Sequence, residues 1–177
     1  MKNFVLFISA IFLLSSCSPQ LSVYTKEIHE SLAFSDNELK RVQFYLSKEI
    51  VLERAYELEE TQIKDGKITI SRDKDLEQVR IPARTPGIAV FSPDGQRLAI
   101  SFDTQSDEEF LMFGPNPKMG NKYMLFASEW TRYSGIVTYG GRQYRTQSGA
   151  ELTTILVELK ALNRQKVESR TVRGRRL

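Results

Sequence analysis

From Lys48 onward, turn signals recur roughly every 8 to 12 residues, and the apolar residues between them keep a period of two. That spacing leaves no room for long helices and asks instead for many short strands. Ile50, Leu52, Tyr56 and Leu58 alternate with Val51, Glu53, Ala55, Glu57 and Glu59, the pattern of a strand with one buried and one wet face. Asp65-Gly66 leads into Lys67-Ile68-Thr69-Ile70, a hairpin signal that asks for positive φ at both central residues. Further strands are expected at Glu77 to Arg84, Gly87 to Phe91, Arg97 to Asp103, Glu109 to Phe113 and Lys122 to Ala127. Gly140-Gly141 joins Gly135 to Tyr139 and Arg142 to Thr146 in another hairpin. Leu152, Ile155, Leu156, Leu159 and Leu162 also fit a helical spacing, but Thr153-Thr154-Ile155 and Val157 are rich in β-branching and favour a strand. Lys166 to Val172 is expected to return antiparallel to it. The expectation is a mostly β fold, an antiparallel meander forming a barrel or sandwich, with one short N-terminal helix.

That helix is placed at Ser35 to Ser47. Ser35-Asp36-Asn37-Glu38 has the S-x-x-E form of a capping box, and Leu39, Val42 and Leu46 recur at i, i+3, i+7. Such a helix would cover an open end or face of a sheet. Residues 17–34, with Pro19 near their start and no sustained period, read as a tether. With 177 residues, 41% of them hydrophobic, the chain can bury a core without disulfides or metals. Residues 35–177 are therefore read as a single β-rich domain with a basic C-terminal tail, where Arg164, Lys166, Arg170, Arg173, Arg175 and Arg176 gather.

The first residues carry an address. Lys2 precedes an apolar run of eleven residues, Phe4 to Leu14, and Ser15 and Ser16 lead into Cys17, the single cysteine. Coiled as a helix, the run reaches about 16 Å against a hydrocarbon core of roughly 30 Å, so it is too short to span a bilayer. Leu14-Ser15-Ser16-Cys17 resembles the lipobox of bacterial lipoproteins: a branched apolar residue three before the cysteine, then two small ones. The resemblance covers this region alone. It implies that residues 1–16 are a signal peptide cut between Ser16 and Cys17, that the Cys17 sulfur receives a diacylglycerol, and that the new amino group is acylated. Each buried CH₂ contributes about 0.8 kcal/mol, so two or three chains hold a protein at a membrane without a spanning helix. Ser18 stands where many diderm lipoproteins retained at the inner membrane have aspartate. The resemblance thus implies the outer membrane, facing the periplasm.

Cleavage removes Lys2 and leaves 24 basic against 22 acidic residues, too even a balance for a nucleic-acid partner. Acylation consumes the one thiol, and His29 is the one histidine, so Cys/His zinc sites, thiol nucleophiles and redox dithiols fall away. No cofactor or metal is expected. Phe91-Ser92-Pro93-Asp94-Gly95 is similar to the turn of a β-propeller blade, but it occurs once, and a propeller needs at least four. Asp73 to Glu77 lacks the Gly and terminal Glu of a calcium loop, and Asp103, Asp107, Glu108 and Glu109 read as a solvated loop guarding strand edges. Gly114 to Gly120 lacks the Gly-Lys-Ser/Thr ending of a phosphate loop, and its two prolines remove N–H groups that a phosphate would need, so it reads as a long, stiffened connection or a lid. His29, lying in the tether, reads as a surface residue.

Recognition centres on Trp130, Tyr133 and Arg132, with Glu129, where an indole and a phenol beside charges suit a sugar or a partner segment. The same aromatics would also serve as a plug for one end of a barrel. The function expected is a lipid-anchored binding or assembly module for an envelope protein or polymer, without catalytic residues. Its rivals are a carrier that holds an apolar ligand in a half-open barrel and an envelope enzyme. The carrier predicts a hollow interior, and the enzyme a cleft of converging, perturbed titratable groups.

Overall fold

The computed structural model describes residues 20–64, 67–104 and 106–166. The signal segment, Ser16 and Cys17, the Asp65-Gly66 turn and the basic residues after 166 lie outside them. The fold is mostly β, in two antiparallel sheets. The larger begins with β1 (Leu21–Val23) and β2 (Gln43–Leu46), continues through β5 (Pro86–Phe91), β6 (Leu98–Ser101), β7 (Phe110–Asn116) and β8 (Lys122–Leu125), and takes in β12 (Ile155–Glu158). Its order is β1-β12-β2-β5-β6-β7-β8, so the meander runs through β5 to β8 while β12 inserts between β1 and β2. The smaller sheet holds β3 (Ile50–Lys64), β4 (Lys67–Ile81), β9 (Glu129–Trp130), β10 (Gly135–Tyr139) and β11 (Arg142–Thr146), in the order β4-β3-β11-β10-β9.

The larger sheet curls until its edges touch. Tyr123 N–H donates to the Tyr24 carbonyl over 3.0 Å, Lys26 N–H to Asn121 over 3.0 Å, and Leu125 N–H to Thr153 over 2.9 Å. Contact along this seam is by isolated bridges at Thr25↔Lys122 and Met124↔Thr154, without a continuous ladder. The curled sheet encloses Phe44, Leu46, Leu98, Ile100, Leu111, Phe113 and Ile155, all with no exposure. Val137, Tyr139 and Tyr144 of the smaller sheet belong to the same cluster, so one core serves both sheets.

Three expectations are corrected. Residues 20–34 are no tether: β1 pairs with β12, Tyr24 is fully buried, and α1 (Lys26–Leu32) starts on a Thr25 side chain that accepts from Ile28 N–H. The helix expected over Ser35 to Ser47 stops early, as α2 (Asp36–Leu39), and Gln43–Leu46 is strand β2. Leu39, Val42 and Leu46 are all buried, as the spacing required, but Leu46 reaches the core from a pleat, where Phe44 and Leu46 alternate with Gln43 and Tyr45. The strand at Ile155 is present, yet at Leu159 the chain turns into α3 (Leu159–Lys166), the helical half of the ambiguous spacing, and the return strand expected from Lys166 to Val172 lies outside the described residues but for Lys166 itself.

Hairpins form where the turns were read. Tyr139↔Arg142 flank Gly140-Gly141, with φ of 55° and 71°. Lys64↔Lys67 close a ladder of fifteen pairs between β3 and β4. Beyond Glu53, which faces Arg145, β3 has no further partner in β11, so most of this hairpin extends past its own sheet.

Candidate functional site

Trp130 occupies the two-residue edge strand β9, opposite Gly135 of β10. A Cβ at Gly135 would stand 2.7 Å from the indole, so glycine is what lets the ring lie across the strand. The hairpin is tied off by Thr131, whose hydroxyl donates to the Ser134 carbonyl over 2.9 Å. One side of the indole remains open to solvent, at 39% exposure. There it walls a cleft of about 320 Å³ with Met119, Met124, Leu125 and Leu152. Met119 and Leu152 are exposed at 41% and 46%. Asn116, Lys118 and Glu151 form a polar rim.

The segment expected as a connection at Gly114 to Gly120 contributes Asn116, Lys118 and Met119 to this cleft. Gly114, Pro115 and Asn116 extend β7 past the end of β6 and pair only with β8, so Pro115 sits where one flank of the strand lacks a partner. The Asn116 side chain accepts from Lys118 N–H over 3.0 Å and caps the 3-10 turn Pro117–Met119, which presents Met119. Of the residues read as a recognition group, Trp130 alone lines the cleft. Tyr133 and Arg132 lie at the tip of the adjoining turn and stack on each other, the guanidinium 5.4 Å from the ring centroid. Sequence reading missed Met119, Met124 and Leu152, which come from three separate elements and share no local pattern.

Compared with known proteins, the chain matches no family, no curated protein and no solved structure.

A second, polar cleft of about 260 Å³ opens beside Glu77, Asp103, Glu109, Tyr139, Arg142 and Tyr144. Arg54 donates from Nε to Glu77 over 3.1 Å, and Tyr144 donates its hydroxyl over 2.8 Å. These two bonds, Arg54's first, hold the Glu77 carboxyl below the usual carboxylate range. Burial, followed by the neighbouring Glu109, pushes the Tyr139 hydroxyl up; burial and Glu77 do the same to Tyr144. Asp103 and Glu109 line this cleft, whereas Asp107 and Glu108 stay in the exposed loop. Among the described residues no group of three His, Cys, Asp or Glu is placed to hold a metal ion.

His29 is not a free surface residue. It sits in α1 with Nδ1 2.9 Å from the Tyr24 hydroxyl and Nε2 3.0 Å from the Gly95 carbonyl. A carbonyl only accepts, so Nε2 carries the proton and Nδ1 accepts from Tyr24. The histidine clasps α1 to the Ser92–Arg97 turn, which Asp94 orders by accepting from the N–H groups of Gln96 and Arg97.

Proposed function

We propose that this chain is a lipid-anchored lipoprotein of a bacterial envelope, in the outer membrane and facing the periplasm, that works as a binding and assembly module. Its grip is the Trp130 cleft, which takes an apolar side chain or short segment of an envelope protein. The observation that carries this reading is an aromatic and methionine-lined cleft open on the surface. Methionine adapts to irregular partners, and tryptophan supplies contact area at low entropic cost. Confinement by acyl chains raises the effective concentration toward neighbours, so a cleft of this size suffices. Large side chains such as Phe44, Ile100 and Phe113 occupy the interior of the curled sheet, which favours a module over a hollow carrier. Among the described residues no helix is long and apolar enough to cross a membrane, and acylation at Cys17 would supply the anchor instead.

Two measurements test the reading. The mature protein should carry the mass of a diacylglyceryl group, and Cys17→Ser should move it from the membrane to the soluble fraction. A photo-crosslinker placed at Leu152 in intact cells should yield a discrete protein adduct that Trp130→Ala removes. An adduct pattern indifferent to Trp130 would eliminate the cleft as the binding site.

A further inference from the structure

Three residues separate Cys17 from Leu21, the first residue of β1. Fully extended, that link spans about 14 Å between Cα atoms. Acyl chains on Cys17 would therefore hold β1 almost against the bilayer. Register fixes what else is there: Leu21 lies opposite Glu158, and α3 begins at the next residue, Leu159. Eight residues make α3 about 12 Å long, so the backbone of the whole helix stays within about 12 Å of Leu159.

The side chains of this end suit a headgroup layer. Leu21 and Val23 are half-buried, Leu159 is 38% exposed, and Lys160 and Arg164 are exposed. Leu162 is buried and pins α3 to the core; Lys160 and Arg164 lie on the opposite side of the helix, and Leu159 sits one turn before Leu162 at the margin between the two faces. Arg164 pairs with Glu158 at 3.7 Å while its side chain stays 76% exposed, so most of its donors still face solvent. Four more arginines follow in the sequence, at Arg170, Arg173, Arg175 and Arg176. Exposed apolar groups flanked by cations are what an interfacial surface with anionic lipid requires.

We propose that the β1–α3 end of the larger sheet is a docking face for the anionic headgroups of a bilayer, an inference that rests on acylation at Cys17. Docking sets the orientation of the domain. Val157↔Phe44 and Ile155↔Leu46 place the Leu46 end of β2 away from Glu158, and β3 departs from that far end. The root of the β3–β4 hairpin thus lies on the side turned from the membrane.

The acylated full-length protein is reconstituted into phosphatidylcholine vesicles and into equimolar phosphatidylcholine and phosphatidylglycerol, and amide hydrogen exchange is followed over residues 159–166. Exchange there should slow in the anionic vesicles, by about fivefold for each cation engaged. The slowing should vanish in high salt. It should also vanish in the Lys160→Glu, Arg164→Glu double variant, which stays membrane-bound through its lipid. Equal exchange in both vesicles, from protein whose mass shows the acyl groups, overturns the docking face and leaves the anchor intact. A mass without acyl groups overturns both.

Discussion

At the residue scale, His29 matters because it partners the hydroxyl of the fully buried Tyr24. Removing it leaves the Tyr24 hydroxyl in an apolar site, so His29→Ala should cost about 1–3 kcal/mol in urea denaturation. Tyr24→Phe should cost less, and the double variant should cost less than the sum of the two singles. Asp94 gives a pH signature. The Arg97 N–H, then the Arg97 guanidinium, hold its pKa down to about 2 from 3.8. A depressed carboxylate stabilises the fold above its unfolded pKa, and that contribution is lost as pH falls from about 4 through about 2. Asp94→Asn should lower stability at neutral pH and flatten the acid limb of a stability–pH curve over that window. The turn around Asp94 could be read in the sequence, since Pro, Asp and Gly each act locally. The role of His29 could not, because its carbonyl partner is 66 residues away.

At the scale of elements, strands with their own turn chemistry were readable and elements defined by their neighbours were not. Gly140-Gly141 specified its hairpin to the residue. Leu39, Val42 and Leu46 fit one helix stripe, yet pairing of β2 with β5 and β12 on either side overrode that local preference. Likewise Leu152 to Leu162 carried two periods because the chain does both things in turn, strand then helix. In the candidate site, Trp130 stood out as the sole tryptophan in a turn-rich stretch, but Met119, Met124 and Leu152 join it in one cleft only because elements of two sheets and a 3-10 turn come together there. The β9–β10 hairpin offers a direct test of that geometry. Gly135→Ala puts a methyl against the indole and should cost about 1–3 kcal/mol. It should also shift the intrinsic fluorescence maximum, which Trp130 alone reports, while leaving far-ultraviolet circular dichroism unchanged.

At the scale of the whole molecule, fold class followed from periodicity, whereas the division into two sheets did not, because both sheets draw on the same alternating pattern and share one interior. Phe44 sits at the crossing of these contacts, its ring 5.2 Å from that of Tyr24 and its strand bracketed by β12 and β5. Phe44→Ala should cost about 3–5 kcal/mol. Because the core is common, Trp130 fluorescence in the smaller sheet and near-ultraviolet dichroism of the tyrosines around Tyr24 should lose signal in a single coincident transition. The seam of the curled sheet has a mechanical consequence. Tension arriving from upstream of Leu21 falls first on a three-residue ladder, then on the few bridges that join residues 24–26 to β8. Under load the first strand would peel away before any other, freeing Tyr24 and the α1 clasp while the β5–β8 meander stays folded.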